Sequence, residues 1–247
     1  MTNISIQSLY YQIISYFHAD KWYHMLGYPI TFLSRLVKLN DYDKKCIMGN
    51  KEISEGLYKE LDEEIRLIKK LTSKSRVFVR LFSLSPKNSD KIGDIAVIDV
   101  DELLKLLHNS PRAIGSLSKS YNNGIMLREF HQDLPTSFEF RLFVHGSHLR
   151  AISQYNCYEY IPELDDENIK DRIINIIKNK IEYIDSIIDI VIWDGKDGSF
   201  MNLGIWIIEI NTFGAGLLAG SCLYNWIDDY DTLHYSKKPD YRINKLF

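Results

Sequence analysis

Two strand-like runs, Ile188–Trp193 and Gly204–Asn211, flank a cluster of turn formers, Asp194-Gly195-Lys196-Asp197-Gly198-Ser199. A hairpin closed symmetrically about Ser199 sets Asp189 directly opposite Glu209. Asn211 then lies two residues further along the same face, because side chains alternate with a period of two. Opposed residues have Cβ atoms ~5 Å apart, and like charges there are destabilising unless something neutralises them. Two carboxylates with an amide oxygen beside them are donors that a hard divalent cation such as Mg²⁺ accepts. The pattern therefore predicts a metal-nucleotide site with Asp189, Glu209 and Asn211 as metal ligands. Its competitor is an edge hairpin carrying two solvated acids.

A second hairpin is expected over Ser137–Gln154, with Gly146-Ser147 as a two-residue turn of type II′. Closing about that turn pairs Glu139 with Gln154, Arg141 with Ile152, and Phe143 with Arg150. Glu139, Arg141, Arg150 and Gln154 then share a polar face, opposite a buried face of Phe140, Leu142, Val144, Leu149 and Ala151. Mg²⁺ is usually held by one or two carboxylates together with substrate phosphates, so cations should accompany the acid pair. Arg80, Lys87, Arg128 and Arg141 stand in strand or turn positions. Arg141 is the first choice, since its planar fork matches phosphate oxygens. Neither G-x-x-x-x-G-K-[ST] nor G-x-G-x-x-G occurs, so P-loop and Rossmann routes to a nucleotide find no support.

Elsewhere, helical spacing predicts amphipathic helices over residues 4–18, through Leu57, Leu61, Ile65, Ile68 and Leu71, and over Glu167–Ile188. Thr31–Val37, Val77–Phe82, Ile95–Val100 and Ile125–Phe130 read as strands. A short Asp-capped helix follows through Leu103, Leu104 and Leu107, and Ser110-Pro111 opens another. Strands and helices do not alternate regularly, which favours an α+β class over a doubly wound parallel sheet. His131, His145 and His148 lack ligand-like spacing and are expected to be solvated. Cys222 is expected to be a small buried hydrophobe.

With 247 residues the chain can form one domain or two tightly packed subdomains. A net charge of -3, from 30 basic and 33 acidic residues, gives no strong nucleic-acid signal and no pull toward an acidic membrane. No apolar run approaches the ~20 residues that span a bilayer. Met1–His18 lacks a basic leader and a small-residue cleavage site, so no export signal is expected. Cys46, Cys157 and Cys222 are odd in number and contain no C-x-x-C, which excludes a disulfide framework and a zinc knuckle. A reducing, cytoplasmic setting is expected.

Taken in order, these residues resemble the cell-division-cycle protein 123 family, whose members have an ATP-grasp fold. The resemblance starts at Trp22-Tyr23 and Thr31–Leu39. It continues through Val77–Phe82, Ser85-Pro86-Lys87 and Leu127-Arg128, then Glu139-Phe140-Arg141-x-Phe143-Val144 and Ile152-Ser153-Gln154. It closes with Asp189, Glu209-Ile210-Asn211-x-Phe213-Gly214 and Leu223-Tyr224-Asn225-Trp226. It implies two subdomains with mainly antiparallel sheets gripping a nucleotide between them, divided here as 1–126 and 127–247. It also implies ATP and Mg²⁺ as ligands. Asp189, Glu209 and Asn211 match the family's metal ligands, and Arg141 would lie on the triphosphate. Arg128, Glu129 and Phe130 match the strand bordering the adenine. Arg80 stands where the family usually has lysine, and Lys87 matches the basic residue of its S-P-K turn. Glu209 stands where the family commonly has Asp.

Two functions share that site. By resemblance, the chain is an assembly factor that binds Mg·ATP and docks on the gamma subunit of eukaryotic translation initiation factor 2. The alternative is an ATP-grasp ligase that activates a carboxylate as an acyl phosphate for an amine or other nucleophile, with Arg141 and Arg80 stabilising the transferring phosphoryl group. A lesser alternative is modification of RNA or protein ends.

Overall fold

Alternating apolar residues, Val77, Val79 and Leu81 in one strand and Ile125 and Leu127 in its neighbour, centre a four-stranded antiparallel sheet. The computed structural model describes residues 11, 13, 15–26, 30–86, 95–178, 185–193, 204–215 and 219–245. By compactness the chain falls into two units, Met1–His24 with Phe32–Gln132, and Met25–Thr31 with Asp133–Phe247. A division at 126/127 would fall inside the strand Gly124–Glu129, which pairs along its length within the first unit's sheet.

In the first unit the strands are β1 (Ser34–Lys38), β2 (Val77–Leu81), β3 (Ala96–Val97) and β4 (Gly124–Glu129), in the order β1-β4-β2-β3. The helices are α1 (Ala19–Leu26), whose last two residues pass into the second unit, α2 (Asp41–Met48), α3 (Glu55–Thr72), α4 (Val100–His108) and α5 (Pro111–Leu117). Val37, Val77, Val79, Leu81, Ile125 and Leu127 bury one sheet face against Leu57, Leu61, Ile65 and Ile68 of α3 and Leu103 and Leu107 of α4. Side-chain caps at Ser54, Asp99 and Ser110 start α3, α4 and α5. Two expectations fail here. Leu71 is exposed at the end of α3. The strand over Ile95–Val100 shrinks to two residues, because Asp99 caps a helix that already begins at Val100.

Gly124 opens β4 where the ring of Phe82 packs on its backbone. A Cβ there would stand 2.2 Å from the ring. Gly124→Ala is therefore expected to cost about 1–3 kcal/mol of stability through overpacking, measured by urea unfolding. Adding Phe82→Leu should recover part of that loss.

The second unit is a five-stranded sheet ordered β8-β7-β5-β6-β9, from β5 (Glu139–His145), β6 (His148–Gln154), β7 (Ser186–Ile192), β8 (Ile205–Thr212) and β9 (Asp240–Arg242). All neighbours are antiparallel except β6 and β9. One face, with Phe140, Leu142, Val144, Ile188 and Ile190, packs on Ile173 and Ile177 of α6 (Glu167–Lys178). The opposite face carries Phe143, Ala151 and Ile187 and is covered by Ala219, Tyr224 and Leu233, the last from α7 (Tyr230–Tyr235). Ile188 thus belongs to β7 and not to the helix expected over Glu167–Ile188. The helix expected over residues 4–18 lies mostly outside the described residues.

The β5–β6 register also departs from expectation. Gly146 and Ser147 both have positive φ, 57° and 62°, which makes the turn type I′ and not II′. Val144 still pairs with Leu149, but Phe143 pairs with Ala151, so Arg150 is the extra residue of a bulge. Beyond it Arg141 faces Ser153 and not Ile152, and Phe140 faces Gln154. Gln154 therefore lies on the face opposite Arg141, as does neither Ala151 nor Ser153. Gln154 is fully buried, donating to the carbonyls of Asn156 and Glu159 and accepting from Asn244 N. Arg150 donates to the carbonyls of His145 and Ser236. Both are structural, not parts of a polar binding face.

Candidate metal and nucleotide site

Arg141 of β5, Asp189 of β7 and Glu209 of β8 form one row across three neighbouring strands, each directly opposite the next. Asn211 follows on the same face, its Nδ2 donating to Glu209 Oε1 at 2.9 Å. A bulge makes this arrangement compatible with a core. Strict alternation would put Ile205 and Ile207 on the face of Glu209 and Asn211. Instead Asp189 pairs with Glu209 but Ile190 with Ile207, leaving Ile208 extra. That residue reverses the parity, so Ile205 and Ile207 enter the apolar core while the acid and amide face the other way.

The row is not solvated. Asp189 is 1% exposed and Arg141 5%. Arg141 donates from Nε and Nη2 to Oδ1 and Oδ2 of Asp189 at 2.8 and 2.7 Å, and from Nη1 to the Gly220 carbonyl at 2.7 Å. Its guanidinium carbon lies 4.9 Å from the centroid of the Tyr155 ring. The sequence expectation assigned Arg141 to a triphosphate and left the acid pair to be neutralised by metal. In this structure a bidentate ion pair within the protein neutralises Asp189. Sequence reasoning missed both Tyr155 and the Gly220 carbonyl. The one available signal for Tyr155 is its position directly after Ile152-Ser153-Gln154.

Burial pushes Asp189 up to about 6, with Arg141 pulling the other way and Glu209 adding to the rise. Burial also opposes the charge on Arg141, yet Asp189 outweighs it and holds the guanidinium more firmly protonated than usual. Burial, followed by Asp189 and Glu139, raises the Tyr155 hydroxyl, which remains a donor at neutral pH. Cys222 is half-buried rather than buried, and burial pushes its thiol up to about 12, so it offers no thiolate nucleophile.

The expected residues of the first unit lie on its own sheet. Arg80 and Arg128 are buried on the face opposite the α3 core, Arg80 across from Met126 and Arg128 from Phe78. Arg128 donates from Nε to Ser34 Oγ at 3.1 Å and lies 5.5 Å from the ring centroids of both Trp22 and Phe32. Arg80 Nε donates to the Leu81 carbonyl at 3.3 Å. Glu129 accepts from Leu33 N at 2.8 Å, and its other oxygen is 3.2 Å from His131 Nε2. His131 is therefore buried beside an acid, not solvated. His145 is half-buried and stacks on Phe213, so it too departs from expectation. Phe130 is half-buried just past β4. Lys87 lies outside the described residues.

Asp189, Glu209 and Asn211 supply hard oxygen donors, which suits Mg²⁺. Among the described residues no group of three or more His, Cys, Asp and Glu side chains converges as a metal cage. The donor set fits a cation that keeps phosphate and water ligands.

The family model D123 matches residues 88–245. A curated relative, the putative CDC123-like protein L884 of Acanthamoeba polyphaga mimivirus, is 30% identical over 260 residues, covering 97% of this chain and 78% of its own. The solved structure of Cdc123 from Schizosaccharomyces pombe superposes with a TM-score of 0.74 at 18% identity, covering 94% of this chain and 97% of that one. Its C-terminally truncated form matches with the same score over 95% and 97%. The protein is thus of the α+β class, with two mainly antiparallel sheets. The chain belongs to the CDC123 (D123) family.

Proposed function

We propose that this protein binds Mg·ATP and acts as an assembly factor for translation initiation factor 2, docking on its gamma subunit. The observation that carries the ligand half is the row Arg141–Asp189–Glu209 with Asn211, which joins hard oxygen donors to a guanidinium fork on one buried sheet face. Asp189, Glu209 and Asn211 hold the cation, which neutralises phosphate charge. Arg141 contacts the phosphates through N–H groups that Asp189 and Gly220 leave over. To Arg80 and Arg128 we assign phosphate and base contacts, and to Glu129 and Phe130 the border of the adenine. Lys87 is assigned a phosphate contact on sequence grounds.

Family membership supports the assembly role. No described helix is long and apolar enough to cross a membrane. The three cysteines are free, which suits the reducing cytoplasm in which we place its action. Titration of the purified protein with Mg·ATP and with purified gamma subunit tests the proposal. Binding of both, without ADP or AMP release, is expected. Failure to bind the gamma subunit would overturn the assembly role, and nucleotide turnover that depends on an added carboxylate or amine acceptor would replace it with ligase chemistry.

A further inference from the structure

We infer that the Arg141–Asp189 pair is a built-in counter-ion that excludes bare divalent cations, so that metal enters this site only together with a polyphosphate. The inference rests on the Mg·ATP reading and concerns how that site is regulated. Its basis is the competition for one carboxylate. Both oxygens of Asp189 already accept from Arg141, at 2.8 and 2.7 Å, in a pair that is almost fully buried. A cation approaching Asp189 and Glu209 alone meets a fixed positive charge on the next strand, where water screens poorly. Arg141 thus offsets the carboxylate charge of Asp189 that a bare cation would seek.

The same arginine favours a metal that arrives with phosphate. A guanidinium carries five N–H donors. Two serve Asp189 and one serves the Gly220 carbonyl, leaving one each on Nη1 and Nη2 without a protein acceptor among the described residues. The Tyr155 ring supports the guanidinium plane, at 4.9 Å, so those two donors project in fixed directions. Phosphate oxygens on those donors turn the repulsive charge into an attractive one. Metal and polyphosphate then bind with positive coupling, and each raises the affinity of the other by the same factor.

The experiment uses Mn²⁺ as the probe, followed by electron paramagnetic resonance, on the intact protein with and without a non-hydrolysable ATP analogue. For the wild type, the analogue is expected to raise Mn²⁺ affinity at least about 100-fold. Arg141→Gln should bind bare Mn²⁺ at least about tenfold more tightly than the wild type, yet bind the Mn²⁺-analogue complex at least about tenfold more weakly. Arg141→Lys keeps the charge and should still exclude bare Mn²⁺, which tests the idea should the glutamine variant fail to fold. Wild-type affinity for bare Mn²⁺ within about threefold of that with the analogue would overturn the inference. So would an Arg141→Gln variant that gains no affinity for bare Mn²⁺. If neither the wild type nor Arg141→Gln takes up Mn²⁺ under any condition, the Mg·ATP reading fails and the inference falls with it.

Discussion

Asp189→Ala is expected to lose about 3–5 kcal/mol of folding stability and all detectable Mg·ATP binding. Repulsion between Asp189 and Glu209, considered alone, argues that removing one carboxylate should relieve strain. The structure reverses that sign. Arg141 is 5% exposed and directs two of its N–H groups at Asp189, so deleting the acid strands a buried guanidinium. Guanidinium chloride unfolding measures the loss. Replacing both partners, as in Arg141→Met with Asp189→Leu, should restore most of the stability, since a buried pair exchanged for apolar side chains of similar volume is often neutral. That double variant should still bind no Mg·ATP in calorimetry. A double variant as unstable as Asp189→Ala would show that the cost lies elsewhere than in the orphaned charge.

Glu209→Gln separates the two properties in the opposite way. Glu209 is half-buried on β8, and glutamine can still accept from Asn211 Nδ2. Stability should fall far less than for Asp189→Ala, by about 1 kcal/mol at most, because the buried Arg141–Asp189 pair stays intact. Metal-dependent nucleotide affinity should fall at least about 100-fold, beyond the 10–100-fold typical of residues that only orient ligands. Calorimetry with ATP in the presence of Mg²⁺, and again in EDTA, reads the difference. Equal affinity in wild type and variant would remove Glu209 from the metal site.

The opposition of Asp189 and Glu209 was legible in the sequence because turn formers bracket the loop and a period of two fixes facing. The bulge at Ile208 was not, although it explains how Ile205, Ile207, Glu209 and Asn211 can all be correctly placed. A bulge adds one residue without a compositional mark, and a slip of one residue exchanges the faces of a strand. For the same reason the bulge at Arg150 overturned the predicted face of Gln154. The strand Ile95–Val100 was misjudged because β-branched residues outweighed a cap at Asp99. Arg141 was found by its residue type and strand position. Its partner was missed because the pairing that matters runs from β5 to β7 across 48 positions of chain, beyond the reach of local pattern.

The most direct test is a crystal structure of the protein grown with Mn²⁺ and a non-hydrolysable ATP analogue, with anomalous data locating the metal. One Mn²⁺ peak is expected about 2.0–2.6 Å from carboxylate oxygens of Asp189 and Glu209, bridged to phosphate oxygens that also contact Arg141. Nucleotide bound with its metal away from these carboxylates, or the Arg141–Asp189–Glu209 row left untouched by metal and phosphate alike, would contradict the account.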